Sequence, residues 1–151
     1  MHVLRAEKGF IIVGQETDGT VTPYDLDMHW IVSKKKPDFI GKRALERTSM
    51  DEPHRKQLVG LLTEDPNKVI PEGAHAVLDP DQEIPMAMLG HVSSSYYSPN
   101  LKRSIAMALL KGGLNRKGQN VYIPMLDGQK PIKAKIVDPV FFDKQGDRLR
   151  G

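Results

Sequence analysis

From residue 56 onward, short apolar runs follow one another closely: "KQLVGLLTE", "AHAVLD", "AMLGHVSSS", "SIAMALL", "NVYIPML" and "PIKAKIVD". Each has the length and composition of a strand rather than of a helix. The last is the clearest, because Ile132, Ala134 and Ile136 alternate with Lys133 and Lys135 as a half-buried strand requires. Between the runs lie "DPNKVIPEG", "DPDQEIP", "KGGLNRKGQ" and "LDGQK", all rich in turn-forming residues. Strands punctuated in this way predict a small antiparallel barrel or sandwich.

Residues 1–50 have a different texture. Helix formers fill positions 3–8 and Gly9 follows directly, the pattern of a helix ending at a left-handed glycine. "FIIVG" predicts a buried strand closed by Gly14. "QETDGTVTP" predicts a loop with Asp18-Gly19 as its tight bend and Pro23 as punctuation, and "MHWIVS" a second strand. Ile40, Ala44 and Leu45 recur at helical spacing behind Asp38, a candidate N-cap, and predict a short helix near 39–48. "MDEPHR" then breaks the chain, placing a domain boundary near 50–55. Val3, Leu4 and Phe10 need a core, yet only Met1 and His2 precede Val3. The segment therefore reads as the truncated tail of a domain that begins outside this chain. The expected class is α+β, mainly β: a domain tail over 1–50, then a small antiparallel β-barrel over 55–151.

Composition narrows the choice of function. With 151 residues, 39% hydrophobic and 27% charged, the chain fits one soluble globular domain, or a small domain plus part of another. The absence of cysteine excludes disulfides, thiolate metal sites and cysteine nucleophiles, and it agrees with a reducing compartment. No apolar run approaches the ~18 residues of a membrane span, and the N-terminus has no signal-peptide pattern. The expected location is cytoplasmic, with no membrane partner. The net charge of +3 hides an asymmetry: residues 102–151 hold 11 Lys+Arg against 4 Asp+Glu, while residues 1–101 hold 11 against 15. A basic half fits nucleic acid, a polyanionic ligand or an acidic partner, or is simply a solvated face. Its bases are scattered, with only Tyr122, Phe141 and Phe142 among them as stacking platforms, which disfavours nucleic acid.

Little here resembles a self-contained catalyst. The five histidines (2, 29, 54, 75 and 91) form no metal-site spacing with one another or with carboxylates, so no metal is expected. His29, on a predicted strand next to Trp30, reads as structural. No G-x-S-x-G, P-loop or G-x-G-x-x-G is present. "SSSYYS" is dense in hydroxyls but has no base partner, and reads as a polar loop. Glu7 reads in two ways. It is a surface glutamate paired with Lys8 or Arg5, or a carboxylate that accepts two parallel N–H bonds from a ligand such as a 2-amino-4-oxo-pterin.

Four stretches in order, "LRAEKG", "TPYDLDMHW", "DFIGKRAL" and "SSSYYSPNLKRSIAMALL", resemble the aminomethyltransferase (glycine-cleavage T-protein) superfamily. Within it, "HVLRAEKGFIIVGQETDGTVTPYDLDMHWIVSKKKPDFIGKRAL" and the ending "DPVFFDKQGDRLRG" look most like the folate-binding C-terminal region of the α subunits of heterotetrameric sarcosine oxidases. The resemblance implies that 1–50 is the tail of a folate-binding domain and 55–151 its terminal barrel. It implies tetrahydrofolate as ligand, with Glu7 holding the pterin ring. A folate-contacting basic position falls on Lys34–Lys36, with Lys36 the best positional match; Lys for Arg there gives up the bidentate fork. Trp30 packs against the folate pocket or fills the core, the core being preferred, and Tyr24 and Asp25 line the pocket or form a turn.

The resemblance further implies a parent enzyme that oxidatively demethylates sarcosine to glycine and passes the one-carbon unit to tetrahydrofolate as 5,10-methylenetetrahydrofolate. FAD, FMN and NAD would be bound outside this chain, and β, γ and δ subunits would be its partners. The family's proton-handling aspartate has no counterpart here, so the chain alone is expected to be inactive. Two other classes stay open: a basic β-barrel that binds RNA, and a barrel that docks subunits together.

Overall fold

A computed structural model describes residues 1–50, 52, 54–126 and 128–151. Six antiparallel strands make one sheet: β1 Lys56–Thr63, β2 His75–Ala76, β3 Gly90–Ser98, β4 Arg103–Lys111, β5 Asn120–Ile123 and β6 Ile132–Val137. Their spatial order is β2-β3-β4-β1-β6-β5. The edge strands meet at one rung, where Val77 and Tyr122 each donate an N–H to the other's carbonyl at 2.9 Å. The sheet thus closes into a nearly complete barrel, and each of the six apolar runs supplies one strand.

Burial explains the two kinds of strand pattern. In β6, Ile132, Ala134 and Ile136 point into the barrel core while Lys133 and Lys135 face out. β4 is instead buried at seven consecutive positions, Ser104–Leu110. Its Ala106, Ala108 and Leu110 face the core shared with Val59 and Leu61. Its Ile105, Met107 and Leu109 face a second apolar layer with Leu58, Ala6 and Leu26. A strand covered on both faces reads as a continuous apolar run, as "SIAMALL" does. Each large aliphatic side chain buried here contributes about 1.5–3 kcal/mol.

The covering layer is residues 1–50. Helix α1, His2–Glu7, ends as expected: the Gly9 N–H donates to the Ala6 carbonyl at 3.0 Å and the Phe10 N–H to the Arg5 carbonyl at 2.9 Å. Gly9 has φ +69°, and a Cβ there would lie 2.9 Å from the Pro139 carbonyl oxygen, so glycine is required twice over.

Elsewhere this segment departs from its apolar pattern. "FIIVG" is not a strand; Phe10 and Val13 are 61% and 86% exposed. The Ile12 N–H, which a strand would give to a neighbour, goes to the Glu16 carboxylate at 2.7 Å. The Ile12 carbonyl closes a turn with Gln15 and Glu16. Nor is "MHWIVS" a strand: His29–Ile31 form a single 3₁₀ turn, entered through Asp27 at φ +58°. The helix expected over 39–48 shrinks to α2, Lys42–Leu45, followed by a 3₁₀ turn at Thr48–Met50. Its N-cap is Gly41 at φ +94°, and the Asp38 carboxylate accepts the Phe39 N–H rather than capping the helix. Asp18 does form the expected bend, accepting from the Thr20 N–H and hydroxyl at 2.7 and 2.6 Å. Within the proposed break at 50–55, Asp51 and Pro53 lie outside the described residues. The short helix α3, Asp147–Arg150, ends the chain.

Candidate functional site

"SSSYYS" is strand rather than loop. It forms the outer half of β3, where Ser93, Ser94 and Ser98 are buried beneath residues 1–50, while Ser95, paired with Ala106, lies on the barrel-core face. Hydroxyls under a layer must find partners, and most of these find α1 and the turn after it. Ser94 Oγ donates to Glu16 Oε1 and accepts from Arg5 Nη2 at 2.6 Å and Gln15 Nε2 at 2.9 Å. Ser93 Oγ donates to the same Glu16 oxygen at 3.0 Å. Arg5 completes the cluster with a 3.1 Å ion pair to Glu16 Oε2, and its guanidinium lies 5.8 Å from the Tyr96 ring centre. Burial alone would raise the Glu16 pKa, but the bonds from Ser94, the Ile12 N–H and Arg5 outweigh it and hold the carboxyl below its ordinary value.

Glu7 is part of this buried stratum, which corrects its reading as a surface glutamate paired with Lys8 or Arg5. It is 2% exposed. Its Oε1 accepts from Ser98 Oγ and its Oε2 from Asn100 Nδ2 at 2.8 Å. The Glu7 carbonyl accepts the N–H groups of Phe141 and Phe142 at 2.9 Å each, and Lys8 reaches the Asp143 carboxylate at 3.2 Å. The end of α1 therefore joins the β3–β4 turn to the strap formed by residues 139–143.

A second clamp lies at the start of β1. Arg55 Nε sits 2.9 Å from Asp25 Oδ1 and Nη2 bonds Oδ2, while Thr22 donates its N–H and hydroxyl to Oδ2 at 2.9 and 2.8 Å. The Asp25 carbonyl accepts the Leu58 N–H at 2.7 Å. Burial again opposes ionisation, and Arg55 followed by Thr22 overcomes it, so the Asp25 pKa lies below its ordinary value. Asp25 is thereby a joint between segment and barrel.

Tyr24 and Lys36 are brought together on one cleft of about 290 Å³, whose walls also include His29, Lys34, Phe39 and Lys42. With Glu46 as the acid on its lining, the cleft carries an excess of positive charge suited to an anionic group. Glu7 and Trp30 do not line it. Trp30 is 75% exposed, so the preferred core role is overturned: a lone 3₁₀ turn carries it outward, and among the described residues no element packs above it. His29 is exposed too, 3.9 Å from Asp27. Among the described residues no cluster of three or more His, Asp or Glu could hold a metal ion, and no helix is long and apolar enough to cross a membrane.

Sequence reasoning missed Arg5, Gln15, Glu16, Ser98 and Asn100. The signal available was the unusual density of hydroxyls in "SSSYYS" opposite a segment rich in charge.

Comparison with known proteins places these features in a family. The profile of the glycine cleavage T-protein C-terminal barrel domain matches residues 56–143. The α subunit of sarcosine oxidase from Corynebacterium sp. (strain U-96) is 47% identical over all of this chain, and that from Rhizobium meliloti (strain 1021) is 40% identical over 99% of it. An aminomethyltransferase from Clostridium botulinum (strain Okra / Type B1) is 33% identical over 94% of the chain. The chain spans 16%, 15% and 36% of those three proteins. A crystal structure of the glycine cleavage system aminomethyltransferase T from Bartonella henselae superposes with a TM-score of 0.76 over 95% of the chain and 38% of its own, at 24% identity, and so shares the fold. Residue pattern, barrel and profile agree: the chain belongs to the glycine cleavage T-protein C-terminal barrel domain family.

Proposed function

We propose that these 151 residues serve a sarcosine oxidase α subunit as part of its tetrahydrofolate-binding region. The observation that carries the reading is the extent of the likeness, since the alignment, 47% identical in all, covers residues 1–50 as well as the barrel. On this reading the longer enzyme demethylates sarcosine to glycine, with FAD, FMN and NAD bound outside these residues, and the one-carbon unit leaves as 5,10-methylenetetrahydrofolate. Residues 1–50 are the tail of the folate domain and residues 55–151 its barrel. The other subunits of the oxidase are the partners.

The residues suit the ligand at both ends. Lys34 and Lys36 line the basic cleft and attract the glutamyl carboxylates, with Tyr24 in its wall. Trp30, exposed, offers an aromatic face to a ring. Glu7 is the acceptor for the pterin edge. Ser98 and Asn100 occupy one lone pair on each of its oxygens, which leaves one on each for a pair of adjacent N–H donors. Glu7 is 2% exposed, so its cover must open before a ligand reaches the carboxylate. Tetrahydrofolate, when bound, supplies the amine that takes up the one-carbon unit; this chain orients it, and orientation supplies rate by proximity.

The test is calorimetric titration of the full-length subunit with 5-formyltetrahydrofolate. A hydrogen bond to a charged group is worth about 1.5–3 kcal/mol, so Glu7→Gln is expected to weaken binding at least tenfold. Equal affinity in variant and wild type would remove Glu7 from the site.

A further inference from the structure

Pro124 stands where the barrel comes apart. Extending the Val77–Tyr122 rung by two residues sets His75 opposite Pro124, and proline has no N–H to give. Pairing stops there. The β2 side stays tied to β3, with Gly73 donating to the Val92 carbonyl and Val92 to that of Ala74, both at 2.9 Å. Between Gly73–His75 and Pro124–Leu126 the seam opens into a cavity of about 690 Å³.

The cavity is lined mainly by apolar groups, including Val77, Pro85, Met86, Met88 and Met125. Met88 and Leu126, on its lining, are 49% and 83% exposed, and Ile84, next to Pro85, is 88% exposed. So concentrated an apolar patch marks an interaction site, and a cavity in a barrel mouth is a common place for one. Unbranched thioether side chains adapt their shape to whatever enters.

The loop beside the cavity is acidic. Glu72 lines the cavity, and the β2–β3 loop that supplies Pro85, Met86 and Met88 also carries Asp79, Asp81 and Glu83. All four acids are exposed, and none joins an ion pair among the described residues. Lys68 and Lys130 line a separate, neighbouring cleft.

We propose that this cavity, with Glu72 on its lining and an acidic loop supplying part of its wall, docks a segment of a partner subunit that carries one or two large apolar side chains flanked by Lys or Arg. Apolar burial supplies the affinity and the acidic loop supplies orientation and partner choice. The proposal rests on the subunit reading only for the existence of a partner chain. Its test uses no folate, so either reading can fail alone.

The probe is a fluorescein-labelled peptide, Lys-Arg-Leu-Trp-Leu-Arg-Lys, followed by anisotropy against the 151-residue chain, with Glu-Asp-Leu-Trp-Leu-Asp-Glu as its charge-reversed twin. The basic peptide is expected to bind with a Kd on the order of 100 µM and its twin at least tenfold more weakly. Met88→Gln, a surface change of similar volume, abolishes binding. The triple variant D79N/D81N/E83Q weakens it by about tenfold and removes most of its salt dependence. Equal binding of the two peptides, no binding of either, or binding indifferent to Met88→Gln would overturn the proposal. So would concentration-dependent self-association of the wild-type chain that Met88→Gln disperses, since the occupant would then be a second copy.

Discussion

The barrel and the segment lying on it are held by different forces. Within β1–β6 the large buried side chains are almost all aliphatic, and the polar groups are mostly those of the backbone ladder. Across the junction between residues 1–50 and the sheet, an apolar layer is also present, with Ala6 and Leu26 against Leu58, Ile105, Met107 and Leu109. The fixed points are polar: Arg5–Glu16–Ser94, Asp25–Arg55 and Glu7 with Ser98 and Asn100. Apolar contacts are non-directional and tolerate variation in shape, whereas buried charges hold only in the geometry that satisfies them. The barrel is thus a robust platform, and the segment carrying Glu7, Tyr24, Trp30 and Lys36 is registered on it by a few exacting bonds.

The sharpest break in this comparison comes from truncating each region. Leu61 is fully buried in the barrel, and Leu61→Ala should cost about 2–5 kcal/mol in urea unfolding by leaving a cavity. Arg55→Ala should cost about 3 kcal/mol, because it leaves the Asp25 carboxylate, 2% exposed at its side chain, without its cation. The two losses differ in kind. The first lowers the stability of every strand, while the second frees residues 20–27 and leaves β3 and β4 protected from amide exchange. At the small end, Trp30→Ala should change stability by less than about 0.5 kcal/mol in the same assay, since the side chain is exposed. A large loss would mean that Trp30 is packed after all.

The same division explains what could be read from the chain. Strands such as β6 carry their environment in their own alternation, Ile132, Ala134 and Ile136 against Lys133 and Lys135, so six runs gave six strands. "FIIVG" is apolar enough for a strand but has no edge to join: β2 and β5 meet at Val77–Tyr122, and the Ile12 N–H is taken by Glu16. "MHWIVS" follows a chain of turns from Pro23 to Met28, closed by a 2.9 Å bond between the Met28 N–H and the Pro23 carbonyl. Local pattern does not carry such information. "SSSYYS" misled in the opposite direction, because hydroxyls suggest a loop until a charged layer is known to lie above them. For the candidate site, Tyr24 and Lys36 share a cleft as the resemblance allowed. The partners of Glu7, 91 and 93 residues away in sequence, were beyond the reach of spacing arguments.

Acid separates the two regions most directly. Glu16 and Asp25 both titrate below their ordinary values of 4.5 and 3.8 in the folded chain. A carboxylate of lowered pKa contributes its full stability above the ordinary value, and that contribution is lost as pH falls through the folded value. The decisive measurement is native-state hydrogen exchange of the 151-residue chain at pH 7 and again below pH 3.8, with rates corrected for intrinsic chemistry. Protection at Ile12, Thr22 and Leu58, whose N–H groups are held by Glu16 or Asp25, is expected to fall at low pH while the paired amides of β3, β4 and β6 keep theirs. Loss of protection in both regions together, in one cooperative step, would contradict that expectation.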